Sequence, residues 1–183
     1  MKNKHGPKGP AKPLTGDDIA RVEAIVRNKP RDYALFTIGT QTAFRGGDIL
    51  SLNCGDVRDA RELHIREKKT GKIRITPLNK KVRAAIARLC AERADDQPLF
   101  VGGKRGTRLT VCTLSRLWRR WCEEAGVGHR GGSHVGRKTW ARRNYEKGAR
   151  IEVIGRALNH GSPATTFAYI MISDSELSSL YED

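Results

Sequence analysis

Six side chains of this 183-residue chain form a set that could handle a phosphodiester: Arg45, Lys69, His134, Arg137, His160 and Tyr169. Guanidinium groups clamp phosphate oxygens in pairs of hydrogen bonds, and a tyrosine hydroxyl can attack phosphorus and later be displaced by a returning hydroxyl. Together these are the parts for covalent phosphoryl transfer, with cations rather than a metal stabilising the pentavalent phosphorus. His134 and Arg137 lie three residues apart, on one side of a helix start whose backbone N–H groups also favour an anion. A metal-dependent nuclease needs clustered carboxylates, whereas the acidic residues here are dispersed or gathered in the tail. Each candidate alone has an ordinary explanation. Arg45 can pair with Asp48 in a loop, Lys69 can be a solvated hairpin charge, His134 and His160 can be caps, and Tyr169 beside Phe167 can be a core aromatic.

The charge distribution suits a polyanionic partner. The formal net charge is +15, and it is uneven: residues 101–150 carry 13 Lys and Arg against 3 Asp and Glu, while residues 151–183 carry 1 against 5. Each phosphate neutralised by Lys or Arg releases a condensed counterion, so such a concentration of positive charge favours nucleic acid. At 38% hydrophobic and 30% charged residues the chain can fold around one core. No stretch approaches the roughly 20 apolar residues needed to cross a bilayer, and the basic N-terminus has no apolar segment behind it. The expected location is cytoplasmic, on the nucleoid, with no membrane partner. The four cysteines (Cys54, Cys90, Cys112, Cys122) have no metal-ligand spacing and are expected to be reduced packing residues.

The elements that must position these groups follow from periodicity. Residues 1–14, rich in Lys, Gly and Pro, read as a flexible basic arm. Thr15 with Asp18 forms a capping-box pattern for a helix to residue 27, and Pro30 suits the first turn of a second helix to residue 42, with Ala34, Leu35 and Ile38 on one face. Gly46 and Gly47 interrupt it, and a turn follows. The period then changes to two in residues 63–65 and 73–75, a β-hairpin whose basic tip holds Lys69 and Lys72. Asn79 caps a helix through Leu89, and Leu114, Leu117, Trp118 and Trp121 mark another that Gly126 ends. Ser133, Ile151 and Ser162 open three more. Residues 15–172 form the expected domain, mainly α with a small antiparallel β-hairpin, followed by an acidic tail at 173–183 able to dock on the basic body.

Five motifs in order resemble those of the tyrosine recombinases, or phage integrases. Residues 42–50 (TAFRGGDIL) are similar to the family's first-arginine motif, with an acidic residue three positions after the arginine. Residues 69–78 (KTGKIRITPL) look like the hairpin-lysine motif, residues 134–139 (HVGRKT) like the H-x-x-R box, and residues 158–160 (LNH) like the second-histidine motif. Tyr169 follows at the family's spacing. Gly136 stands where the box usually has leucine, and Asn159 where glycine is common.

The resemblance implies a DNA breaking-rejoining fold and site-specific recombination of double-stranded DNA. Tyr169 would form a 3′-phosphotyrosyl link, Arg45 and Arg137 would stabilise the phosphorane, and His134 would serve proton transfer at the nucleophile. Lys69 would protonate the leaving 5′-oxygen, His160 would hydrogen-bond a phosphoryl oxygen, and Asp48 would support the site from behind. No ATP, metal or other cofactor is expected. The resemblance also implies a homotetramer on DNA, a monomer when free, and accessory DNA-bending proteins. Phosphate contacts are expected among Lys72, Arg116, Arg119, Arg120, Lys138, Arg142, Arg143 and Lys147. Family members usually carry a clamping domain before the catalytic one. The short N-terminal arm is similar to that of the fimbrial phase-switch invertases, which makes inversion as natural as integration or excision. Two alternatives share parts of this pattern: a type IB topoisomerase, and a DNA-binding regulator with a degenerate active site.

Overall fold

The computed structural model describes residues 11–67, 71–102, 106–129 and 131–172, together with residues 176, 178 and 181. Its axis is helix α2 (Pro30–Gln41), in which Ala34 through Thr40 are buried without interruption. The expectation of a single apolar face was too narrow. A helix surrounded by neighbours buries every side, including the hydroxyls of Thr37 and Thr40. Thr40 solves its polarity locally by donating to the Phe36 carbonyl at 2.9 Å. Helices α1 (Gly16–Val26), α4 (Lys80–Cys90) and α6 (Val135–Glu146) pack around α2, and α5 (Val111–Glu124) packs on α1.

Local chemistry sets most boundaries. Thr15 and Asp18 form a reciprocal capping box on α1, Asn79 caps α4 through the Val82 N–H, and Thr110 caps α5 through the Thr113 N–H. Gly126, at φ +65°, follows the end of α5 in the left-handed region. Strands β1 (Glu62–Arg66) and β2 (Ile73–Pro77) pair antiparallel, with Leu63 opposite Thr76 and Ile65 opposite Arg74. Helix α7 (Ile151–Leu158) and helix α8 (Pro163–Ile170) complete a second, smaller cluster of Ala43, Ala141, Ile154, Leu158 and Ile170. The larger cluster holds Phe36, Trp118, Trp121 and the faces of α1, α4 and β1.

Several elements differ from the sequence reading. Gly46–Ile49 is a short helix, α3, instead of a turn, and a second small sheet pairs β3 (Val101–Gly102) with β4 (Thr107–Arg108). Ser133 does not open α6: His134 is the N-cap, and the Ser133 N–H is held by Ser115 Oγ at 3.2 Å. Leu14 belongs to the core and not to an arm, with its N–H donating to Thr139 Oγ1 at 2.9 Å. Cys54, Cys90 and Cys122 are buried free thiols, but Cys112 is exposed on the outer face of α5. Burial pushes the Cys90 and Cys122 thiols up to about 12, so both stay protonated and inert. No helix among the described residues is long and apolar enough to cross a membrane.

The crossing of α2 and α6 explains Gly136. A Cβ there would stand 2.7 Å from the Gly39 carbonyl carbon and 2.8 Å from Trp118 Cζ2, and a Cβ on Gly39 would meet the same ring at 2.9 Å. Two glycines let the backbones touch, and the Trp118 indole from α5 fills the space beside them. The apolar anchor that leucine would supply inside α6 is delivered from outside it. Gly136→Leu is expected to cost about 1–3 kcal/mol through overpacking, read as a fall of roughly 2–12 °C in the thermal midpoint. A smaller side chain in Trp118→Leu should recover part of that loss. An unchanged melting temperature for Gly136→Leu would contradict the close crossing.

Candidate active site

The seam between the two apolar clusters carries most of the polar candidates. The Ala43 carbonyl oxygen, just past the end of α2, accepts from Arg137 Nη1 and, at 3.0 Å, from Arg74 Nη1. Arg137 Nη2 donates to the Leu158 carbonyl at the end of α7. Arg137 is 4% exposed, and its guanidinium is held by backbone on two sides in the first turn of α6. Burial lowers the Arg137 pKa to about 10, with the charges of Arg45 and Arg74 pushing the same way and that of Tyr169 opposing them. The group remains cationic at neutral pH.

Arg45 is the N-cap of α3, in extended backbone, and places Nη1 2.7 Å from Glu67 Oε2. Glu67 is 2% exposed at the end of β1. It also accepts from Asn159 Nδ2 at 2.8 Å and has Arg74 Nη1 3.7 Å from its second oxygen. Arg74 stacks its guanidinium 4.9 Å from the centre of the Phe44 ring. Burial lowers its pKa, Glu67 and Asp48 raise it, and Arg45 lowers it. Asp48 is buried in α3 beside this cluster. Asn159 caps α7 at φ +52°, so the residue that replaces a glycine keeps the left-handed turn and adds a hydrogen bond to Glu67.

Tyr169, half-buried on α8, stands between the two histidines. Its hydroxyl is 3.1 Å from His134 Nδ1, and its ring meets His160 edge-on with centroids 5.1 Å apart. Lys138 Nζ lies 5.3 Å from the centre of the same ring. Burial raises the tyrosine pKa and Arg137 and Arg45 pull it down. His134 keeps an exposed edge, yet loss of surrounding water lowers its pKa, helped by Arg137, Lys138 and Arg45. The His160 pKa falls for the same reason, with Arg137 and Arg45 contributing. Both imidazoles are thus neutral near pH 7, the form that can accept a phenol proton.

The structure brings Arg45, Arg137, His134, His160 and Tyr169 around one seam, with Asp48 beside it; Lys69 lies outside the described residues. Sequence reasoning missed Glu67 and Arg74. The alternation that buries Leu63 and Ile65 continues to Glu67 on the same face, which was the available signal. The expected DNA contacts are less uniform. Lys138 is beside Tyr169. Arg142 is clasped by Glu146 at 2.7 Å and by both oxygens of Glu176 at 2.5 and 2.9 Å. Arg120 lies 3.6 Å from Asp32 and from Glu124, while Lys72, Arg116 and Lys147 are exposed and Arg119 and Arg143 half-exposed. Among the described residues no group of three His, Cys, Asp or Glu is placed to hold a metal.

With this arrangement the chain belongs to the phage integrase family, whose model matches residues 12–176. The curated relatives it resembles include the Probable integrase/recombinase YoeC of Bacillus subtilis, 29% identical over 167 residues spanning 91% of this chain and 92% of that protein. Tyrosine recombinase XerA of Pyrococcus furiosus is 27% identical over the whole chain, which spans 65% of its length. A crystal structure of XerA recombinase superposes with a TM-score of 0.78 at 27% identity, covering 98% of this chain and 65% of that one.

The lowered histidine pKa values carry a sign. The unfolded chain takes up the protons first as pH falls below about 6.5, so stability declines there and is unaffected well above it. Nitrogen-15 NMR titration should place the His134 and His160 midpoints below 6.5; midpoints at or above it would contradict the crowding by Arg45 and Arg137.

Proposed function

We propose that this chain is the catalytic domain of a site-specific DNA recombinase that cuts and rejoins double-stranded DNA through Tyr169. The observation that carries this reading is the tyrosine hydroxyl hydrogen-bonded to a neutral histidine beside a buried, backbone-held arginine. Tyr169 Oη attacks the scissile phosphorus, and His134 Nδ1 accepts the phenol proton as the bond forms. Arg137 and Arg45 stabilise the charge on the equatorial oxygens, and His160 donates to one of them. The 5′-oxygen leaves as a hydroxyl, protonated by Lys69 of the hairpin. The 5′-hydroxyl of a partner strand then attacks the phosphorus of the 3′-phosphotyrosyl link, giving its proton to Lys69 as His134 returns the phenol proton to the departing Tyr169, so the phosphodiester energy is kept.

Site-specific exchange, by integration, excision or inversion, requires two duplexes and several protomers, for which a tetramer on DNA is the natural form. The catalytic domain is read as extending from Leu14, which packs in the core, through residue 172, with basic residues before it and an acidic tail after it. The Glu176–Arg142 clasp supports the docking of that tail on the body.

The test is a nicked suicide duplex bearing a site the protein binds. The expected result is a covalent adduct that is absent in Tyr169→Phe. Arg137→Lys keeps the charge but loses the planar fork, and should slow adduct formation about 10²–10³-fold while leaving DNA affinity within a few fold. Absence of adduct on a bound site would overturn the reading, and relaxation of any supercoiled plasmid regardless of sequence would reassign it to a topoisomerase.

A further inference from the structure

Thr166 has no place in the set of residues so far assigned to the reaction, yet its side chain is wholly buried one turn before Tyr169 on α8. Its Oγ1 lies 3.1 Å from His160 Nδ1. Other buried threonines direct their hydroxyls to the carbonyl four residues back: Thr40 to Phe36, Thr42 to Ile38 and Thr139 to Val135. Thr166 makes no such bond and is turned outward from its helix to the histidine. The approach depends on Gly155 of α7, where a Cβ would stand 2.8 Å from Thr166 Oγ1. The His160 N–H is itself fixed by the Gly155 carbonyl at 3.0 Å. One glycine thus admits the hydroxyl and anchors the histidine backbone.

A neutral imidazole has a single N–H, and its two nitrogens cannot both donate. With the proton on Nδ1, Nε2 would present a lone pair to an anionic phosphoryl oxygen and repel it. With the proton on Nε2, the ring donates to that oxygen, and Nδ1 must accept from something. Among the described residues, the hydroxyl within hydrogen-bond distance of it is that of Thr166. The charged groups near the ring, Arg137 and Arg45, disfavour a second proton on it.

We propose that Thr166 is a positioning residue that donates to His160 Nδ1 and so locks the ring in the tautomer whose Nε2–H faces the scissile phosphate. The inference rests on the recombinase reading for its functional consequence, but not for the tautomer itself. Removing such a support for a site imidazole costs roughly 10–100-fold where comparable supports have been removed around metal-bound histidines.

The experiment pairs two measurements on the full chain. Long-range nitrogen-15 correlation spectra of His160 at pH 7.5 are expected to show the Nε2–H form in the parent and in Thr166→Ser, and a shift toward Nδ1–H in Thr166→Val. On the nicked duplex, Thr166→Val should form adduct roughly 10–100-fold more slowly than the parent, with Thr166→Ser restoring most of the rate. In a His160→Ala background, Thr166→Val should add no further loss. An Nδ1–H ring in the parent, a Thr166→Val spectrum unchanged from it, or an additive loss in the double variant would overturn the proposal. If the parent itself forms no adduct, the recombinase reading fails, while the spectra still decide what Thr166 does. Should Thr166→Val fail to fold, the parent spectrum and the comparison with Thr166→Ser remain decisive.

Discussion

Three guanidinium groups confined to one seam would repel one another, and the Glu67 carboxylate is central to their coexistence. It pairs with Arg45, lies within reach of Arg74 and is held in turn by Asn159. The third cation, Arg137, is placed by carbonyl oxygens instead of a carboxylate. That difference matters for a phosphate ligand. A carboxylate competes with phosphate for a guanidinium, whereas a carbonyl fixes the orientation and leaves the full charge in place. Arg137 is therefore cationic and oriented before any substrate arrives, which is the condition under which electrostatic stabilisation of a transition state needs no rearrangement.

The rest of the architecture brings chain ends to that seam. Arg45 caps α3, His134 caps α6, Asn159 ends α7, and Ala43 follows the end of α2. The starts of α3 and α6 point partial positive charge toward the cluster, which adds to the cationic field without adding side chains. Tyr169 is different in kind: it projects from the body of α8, the helix that ends two residues later with Met171 at φ +58°. Tyr169 is thus carried by a short helix of the smaller cluster, Arg45 stands at the start of a helix of the larger one, and α6, whose start carries His134 and Arg137, contributes to both.

Much of this was legible in the sequence because it is local. The caps at Thr15, Asn79 and Ser162 depend on residues three apart, and the hairpin depends on a period of two. That Tyr169 and the two histidines would come together could be expected from residue types and order. What could not be read depends on neighbours distant in the chain. Glu67 is a surface-type residue whose burial is set by Arg45 and Asn159, and Thr166 gains its meaning only from His160 and Gly155. Arg142 looked like one basic residue among many until Glu176 was seen on it. The two-residue strands β3 and β4 are too short to show a period at all.

The glycine-to-glycine contact of α2 with α6, sealed by an indole from α5, ties three stretches of sequence into one unit of inheritance. Gly39, Trp118 and Gly136 are coupled, because a side chain on Gly39 presses on the indole and one on Gly136 presses on both the indole and the Gly39 backbone. A chimera that grafts α6 from a relative with leucine at that position would have to bring the matching α2 and α5 with it. Swapping the segment that holds Arg137 therefore means swapping the scaffold beneath it.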